Sequence, residues 1–374
     1  MGVKTRQLSN TTGADNTAMG LCSLRLNTTG GQNTAIGRKA MSNNTEGSDN
    51  TAIGRQTMTA NTTATYNTAV GSLALTTNST GVQNTAVGFQ SLTTSTASNN
   101  TAVGAYSLRD NTTGGSNVAF GISALKENTS GDNNTSIGNS SLCNNTTADN
   151  NTAVGFESLK ANTTGADNTA VGHSALFATT TGLENTAIGR DALKCNTTGI
   201  CNTAIGASAL LNSTGNKNTA LGRSTGATVT SGSNLTLLGN NAEPSSATAT
   251  NEVTFGDTNV ATLRAQVTSI TAISDKRDKS NICDLNVGLD FINDLKPVTF
   301  DWTMRDGSKK GKKDVGFIAQ DLDEIQQKYN IEENLQLILK TNPDRLEATQ
   351  GKLIPILVNA IKELKARIEV LENE

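Results

Sequence analysis

From residue 16 to about residue 256 this chain repeats one 17-residue phrase, and that period constrains the fold more than any other feature. Asn-Thr-Ala-Val-Gly, with small changes, starts at Asn16, Asn33, Asn50, Asn67, Asn84, Asn100, Asn117, Asn134, Asn151, Asn168, Asn185, Asn202 and Asn218. Weaker copies begin at Asn234 and Asn251, and the step is occasionally 16. A fixed short period specifies a stack of like coils, each touching only its neighbours. That points to a long structural object rather than to a folded pocket.

Places in the repeat are numbered from its first Asn. Place four is large and apolar in the first thirteen copies (Met19, Ile36, Ile53, Val70, and on to Leu221). Place nine is Leu or Met in the first twelve (Leu24, Met41, Met58, Leu75, and on to Leu210). Two inward anchors per coil predict two short strands joined by turns. Gly at place five suits a corner with positive φ or a close backbone approach. Asn-Thr-Thr-Gly at places twelve to fifteen is turn chemistry. Fifteen coils stacked at ~4.8 Å each predict a rod on the order of 70 Å long. Asn-X-Ser/Thr triplets, as at Asn27 and Asn162, match the glycosylation pattern but are expected to be the repeat's own turns.

Composition divides the chain near residue 270. Residues 1–273 hold 28 charged side chains, 30 glycines and a single proline, Pro244; the following 101 residues hold 35 charged side chains and five glycines. The expected domains are a partial repeat at 1–15, the repeats at 16–256, a connector at 257–273 and a final module at 274–374. The net charge of −3 suggests no nucleic-acid partner. The five cysteines, Cys22, Cys143, Cys195, Cys201 and Cys283, show no CxxC spacing, so neither a disulfide framework nor a metal site is expected, and no cofactor is implied. No signal peptide pattern and no membrane-spanning apolar run is read, and no membrane insertion is expected. Folding in a reducing cytoplasm is expected.

The repeat resembles the left-handed parallel β-roll heads of trimeric autotransporter adhesins, whose repeat also centres on a small-aliphatic-Gly phrase such as Thr51-Ala52-Ile53-Gly54. The resemblance implies a mostly β, trimeric, left-handed parallel β-roll, with the small residue at place three packing near a neighbouring chain. A single-chain solenoid is the alternative.

The final module opens with Ser274-Asp275-Lys276-Arg277-Asp278-Lys279-Ser280-Asn281-Ile282. Gly288 to Ile292, Leu295 to Trp302 and Val315 to Asp321 follow, and Lys352 to Val358 runs into a charged helix. This order resembles the C-terminal intramolecular chaperone of phage tailspikes and tail fibres, the endosialidase type, across the last 101 residues. It implies a small α+β chaperone domain that drives trimerisation and registration of the fibre and then cuts itself off between Ile273 and Ser274. It also implies Ser274 as nucleophile and Lys279 as general base. A lysine serves as base only if burial or a nearby cation favours its neutral form, and Arg277 is a candidate cation. Asp275 and Asp278 are the other candidate modulators. Asp278 stands where that family often has Leu, and a carboxylate facing Lys279 would hold it protonated. A chaperone that trimerises without cutting is the alternative.

Ile354, Leu357, Ile361, Leu364, Ile368 and Leu371 are spaced 3, 4, 3, 4, 3, a heptad seam that predicts a terminal coiled coil. Glu363 and Arg367 are placed to pair at i, i+4. Ile and Leu alternating along such a seam favour two strands, but the module is expected to impose three. The expected protein is therefore a homotrimeric viral tail-fibre or appendage component, assembled in the host cytoplasm. The half-repeat at Asn10 to Gly13 leaves no room for an anchoring domain, so a separate virion or tail protein is expected at the N-terminal end, with a host receptor or glycan as a possible distal partner. A cell-surface adhesin is a second reading. A glycan hydrolase is disfavoured, because acidic residues fall at turn places such as Asp15, Asp49 and Asp167.

Overall fold

The computed structural model describes residues 9–260, 262–264, 274–303, 310–340 and 346–373. It divides into two units, Met1–Asp257 and Thr258–Glu374.

The first unit is a parallel β-solenoid. Fifteen strands of three residues, β1 (Thr17–Met19) through β15 (Val253–Phe255), form one parallel sheet in strict sequence order. Each residue pairs with its equivalent one repeat on, as in Thr17 with Thr34 and Ala18 with Ala35. The strand occupies places two to four, where Thr and Val or Ile favour extended backbone. Side chains alternate along a strand, so its central alanine faces in and its flanking residues face out. Ala35, Ala52 and Ala153 are fully buried, and so are the place-nine residues Leu24, Met41 and Leu159.

Three expectations are corrected here. Place four faces out of the coil: Met19 and Phe120 are more than half exposed. Place three faces its own core rather than a neighbouring chain. Finally, each coil carries one strand rather than two. Around place nine the chain makes left-handed corners, as at Glu157 (φ 53°) and Leu159 (φ 49°). Such backbone costs about 1–2 kcal/mol per non-glycine residue in isolation. The stack holds it in place, because Glu157 N–H donates to Asn139 O (3.0 Å) and Leu159 N–H to Ala175 O (3.0 Å), in the coils on either side.

Gly at place five is required on both counts read from the sequence. Gly155 has φ +134°, and a Cβ there would lie 2.4 Å from the carbonyl oxygen of Gly172 in the next coil.

Besides small residues at place eight, such as Ala175 and Ser158, the rest of the interior is largely asparagine. In the coil at Asn33, Asn33 Nδ2 (2.8 Å) and Asn44 Nδ2 (2.9 Å) both donate to the place-fifteen carbonyl of Gly47. Each also donates to its counterpart one coil back, Asn33 to Asn16 Oδ1 (3.1 Å) and Asn44 to Asn27 Oδ1 (2.7 Å). These ladders satisfy buried amides that would otherwise be costly. Asn27 and Asn162 belong to them and are fully buried, so in the folded chain they are structural turn residues and not glycan acceptors.

The 16-residue coils follow the same logic. Ser95 replaces the place-twelve Asn in the coil at Asn84, and its Oγ accepts from Ala97 N–H (3.1 Å) two residues on, a shorter turn. Near the end of the stack the ladder gives way to hydrocarbon. Leu235, not Asn234, occupies place one, and it is buried with Val229 and Leu237. One residue on from Asn251, Glu252 likewise precedes β15.

The second unit is a small α+β fold. It comprises α1 (Leu289–Asp294), an antiparallel pair β16 (Val298–Asp301) and β17 (Lys313–Gly316), α2 (Ala319–Lys328), α3 (Glu332–Leu335), a second pair β18 (Ile338–Leu339) and β19 (Glu347–Ala348), and α4 (Leu353–Glu372). Phe291, Leu322, Ile325, Leu337 and Ile356 centre its core. The buried amide of Gln326 accepts from Leu337 N–H (3.0 Å) and donates to Asp323 (2.8 Å).

Candidate functional site

The expected nucleophile and base meet. A single 3-10 turn, Lys276–Asp278, is capped by Asp275, whose carboxylate accepts from Arg277 N–H (2.9 Å). The turn folds Lys279 back over Ser274, and Lys279 Nζ lies 2.6 Å from Ser274 Oγ and 3.4 Å from Ser274 O. This is hydrogen-bond contact between a candidate nucleophile and its base.

The neighbours act differently from expectation. Arg277 makes an ion pair with Asp275 (2.6 Å). Arg277's side-chain and backbone hydrogen bonds hold the Asp275 carboxyl below its ordinary range, and the same contact raises the Arg277 guanidinium. That charge is therefore spent on the cap instead of standing as a free cation beside Lys279. Among the described residues no ion pair joins Asp278 to Lys279, so the carboxylate expected to weaken the base is not in contact with it. Ser274 and Lys279 are both exposed in the single chain. Ile273, whose carbonyl the serine would attack, lies outside the described residues.

The heptad residues sit where the spacing puts them. Ile354, Leu357, Ile361, Leu364, Ile368 and Leu371 form one exposed face of α4, with Ile361 65% accessible. Leu353, Ile356 and Ala360 form the face that packs into the domain. The helix therefore has two apolar stripes, and its own domain covers only one.

Glu363 is not paired with Arg367. Its Oε2 accepts from Leu289 N–H (2.8 Å) at the start of α1, where the first turn has unsatisfied donors. A side chain on Gly288 would push that carboxylate aside. Asn359 Nδ2 donates to Leu285 O (2.8 Å) and Val287 O (3.2 Å). Asn359 and Glu363 thus tie the 285–289 segment to α4. Sequence reading missed this, because the partners lie more than seventy residues apart with no local pattern joining them.

Residues 274–333 match the family model described as the chaperone of endosialidase. The match begins at Ser274 and contains the Ser–Lys pair, α1, β16, β17 and α2; it is shorter than the resemblance read over the last 101 residues, and α4 lies beyond it. No curated protein matches the chain. No solved structure matches it either. A parallel β-solenoid followed by such a domain fits a fibre-like protein with a C-terminal intramolecular chaperone.

Proposed function

We propose that this chain is a homotrimeric tail-fibre or appendage shaft, carried on a virion, whose C-terminal domain aligns three chains and is then removed by a single cut between Ile273 and Ser274. The observation that carries the reading is the 2.6 Å contact between Lys279 Nζ and Ser274 Oγ at the first residues of the family match. Ser274 Oγ attacks the Ile273 carbonyl carbon, and Lys279, as the neutral amine, takes the hydroxyl proton. The C–N bond breaks with return of a proton to the Ser274 nitrogen, leaving an ester. Water hydrolyses the ester to free Ile273 carboxylate and restore the Ser274 hydroxyl. The cut needs the neutral amine, and desolvation of the pair on assembly of three chains favours that form.

The need for a chaperone follows from the shaft. Near-identical coils pair almost as well one repeat out of register as in register, and a clamp at one end removes that ambiguity. Attachment through a separate tail protein, and a host receptor or glycan at the far end, complete the reading.

The test is intact mass and N-terminal sequencing of recombinant protein. The parent should give a small fragment starting at Ser274, whereas Ser274→Ala and Lys279→Ala should each stay full length and still trimerise. Asp278→Leu should cut at least as fast as the parent. A fragment with another start, or unchanged cutting in Ser274→Ala, rejects the mechanism. An uncut parent that trimerises supports a chaperoned fibre without proteolysis.

A further inference from the structure

The solenoid closes its core within one chain, yet leaves one of its faces unlike a solvated surface. The outer side of the fifteen-stranded sheet carries a place-four column from Met19 to Phe255 in which every residue is Met, Ile, Val, Phe or Leu. Phe120 is 56% exposed, Leu221 50% and Ile188 39%. No strand residue from Thr17 to Phe255 is charged. The body's cations fall off the strands, most of them after the corner glycine as at Arg38 and Arg190 or after the buried leucine as at Lys126 and Lys160.

We infer that this column is the face through which three copies of the chain pack side by side, in parallel and in register; the inference rests on the trimeric reading above and names its contact surface. Three observations select a second copy over a foreign partner. First, the column repeats with the spacing of the coils, so the surface that matches it row for row is another copy of itself. Second, a strip ~70 Å long and about 10 Å wide offers roughly 700 Å² per chain, close to the ~800 Å² per partner of a stable interface. The strip sets the apolar place-four column beside a column at place two that is Thr in all but Val118 and Val253, and an exposed apolar column of that length marks an association site. Third, the same chain carries a second uncovered apolar stripe, on α4, whose heptad spacing is that of helix packing against like helix.

The contact differs from the one the β-roll resemblance implies. There the small residue at place three meets the neighbour; here Ala153 and its equivalents are sealed inside their own coil, and the large residue beside them does the packing.

The test places single thiols in the full-length chain after its five cysteines are changed to serine. Phe120→Cys, Ile188→Cys and Leu221→Cys probe the column, and Thr147→Cys and Thr164→Cys probe exposed turn positions at place fourteen. Native mass spectrometry reports the number of chains, and maleimide labelling reports access. All five changes are at the surface of the single chain, and three column positions guard against one variant misfolding. The expected result is a trimer in which column thiols react at least about tenfold more slowly than the turn thiols, since thiol modification follows access. A trimer whose column thiols react as fast as the turn thiols overturns the assigned face and leaves the trimer standing. A monomer overturns both.

Discussion

At the scale of single residues, the shaft depends on amide chemistry as much as on hydrocarbon. The place-twelve ladder has a gap at Thr179, and Asn162 Oδ1, one coil back, is buried without a hydrogen-bond partner. Thr179→Asn would supply the missing donor. It should stabilise the shaft by about 1 kcal/mol, the net worth of one buried hydrogen bond, seen as a rise in melting temperature. No change or a fall would show that the bond from Thr179 Oγ1 to Asn196 O (3.0 Å) matters more.

The chaperone domain offers a different residue-scale test. Asp294 accepts from Lys328 Nζ (2.6 Å) and Tyr329 Oη (2.7 Å), and these hydrogen bonds, Lys328's first, hold its carboxyl below the usual range. The unfolded chain therefore binds this proton more readily than the folded one. The stabilisation is present above roughly pH 4 and is lost as pH falls through the folded value. Asp294→Asn should flatten that acid limb. The single tryptophan, Trp302, lies in this domain, so its fluorescence follows this unfolding alone.

At the scale of elements, the repeat made the coil legible, and the corner glycine and turn asparagines were placed correctly. Which apolar residue faces inward was not legible. Val154 and Leu159 look alike in sequence, and only strand alternation with left-handed backbone around place nine separates them. The asparagine ladder was also hidden, because its partners meet only when coils stack. In the module, the Ser274–Lys279 contact joins the two residues that the family resemblance pairs, whereas the capture of Arg277 by Asp275 depends on the turn's geometry.

The two apolar positions give a discriminating prediction. Leu159→Asp buries an unpaired carboxylate and should cost several kcal/mol, enough to unfold the coil around it. Val154→Asp should leave the coil's own fold intact and weaken only association between chains. Circular dichroism alongside native mass spectrometry separates these outcomes. Loss of β signal in Val154→Asp would contradict the outward assignment.

At the scale of the whole molecule, the two units divide the labour. The solenoid has all its sheet pairings one repeat apart, and most of its coils are alike enough that one register differs little from the next. The second unit has its own core and an uncovered heptad face. The central claim is that the second unit is needed to assemble the shaft and not to keep it assembled. The most direct measurement is the native mass spectrum of soluble residues 1–273, made alone and made by processing of the full chain. The expected result is a heat-resistant trimer from the full chain and no soluble trimer from the shortened one; equal yields of trimer from both would contradict the claim.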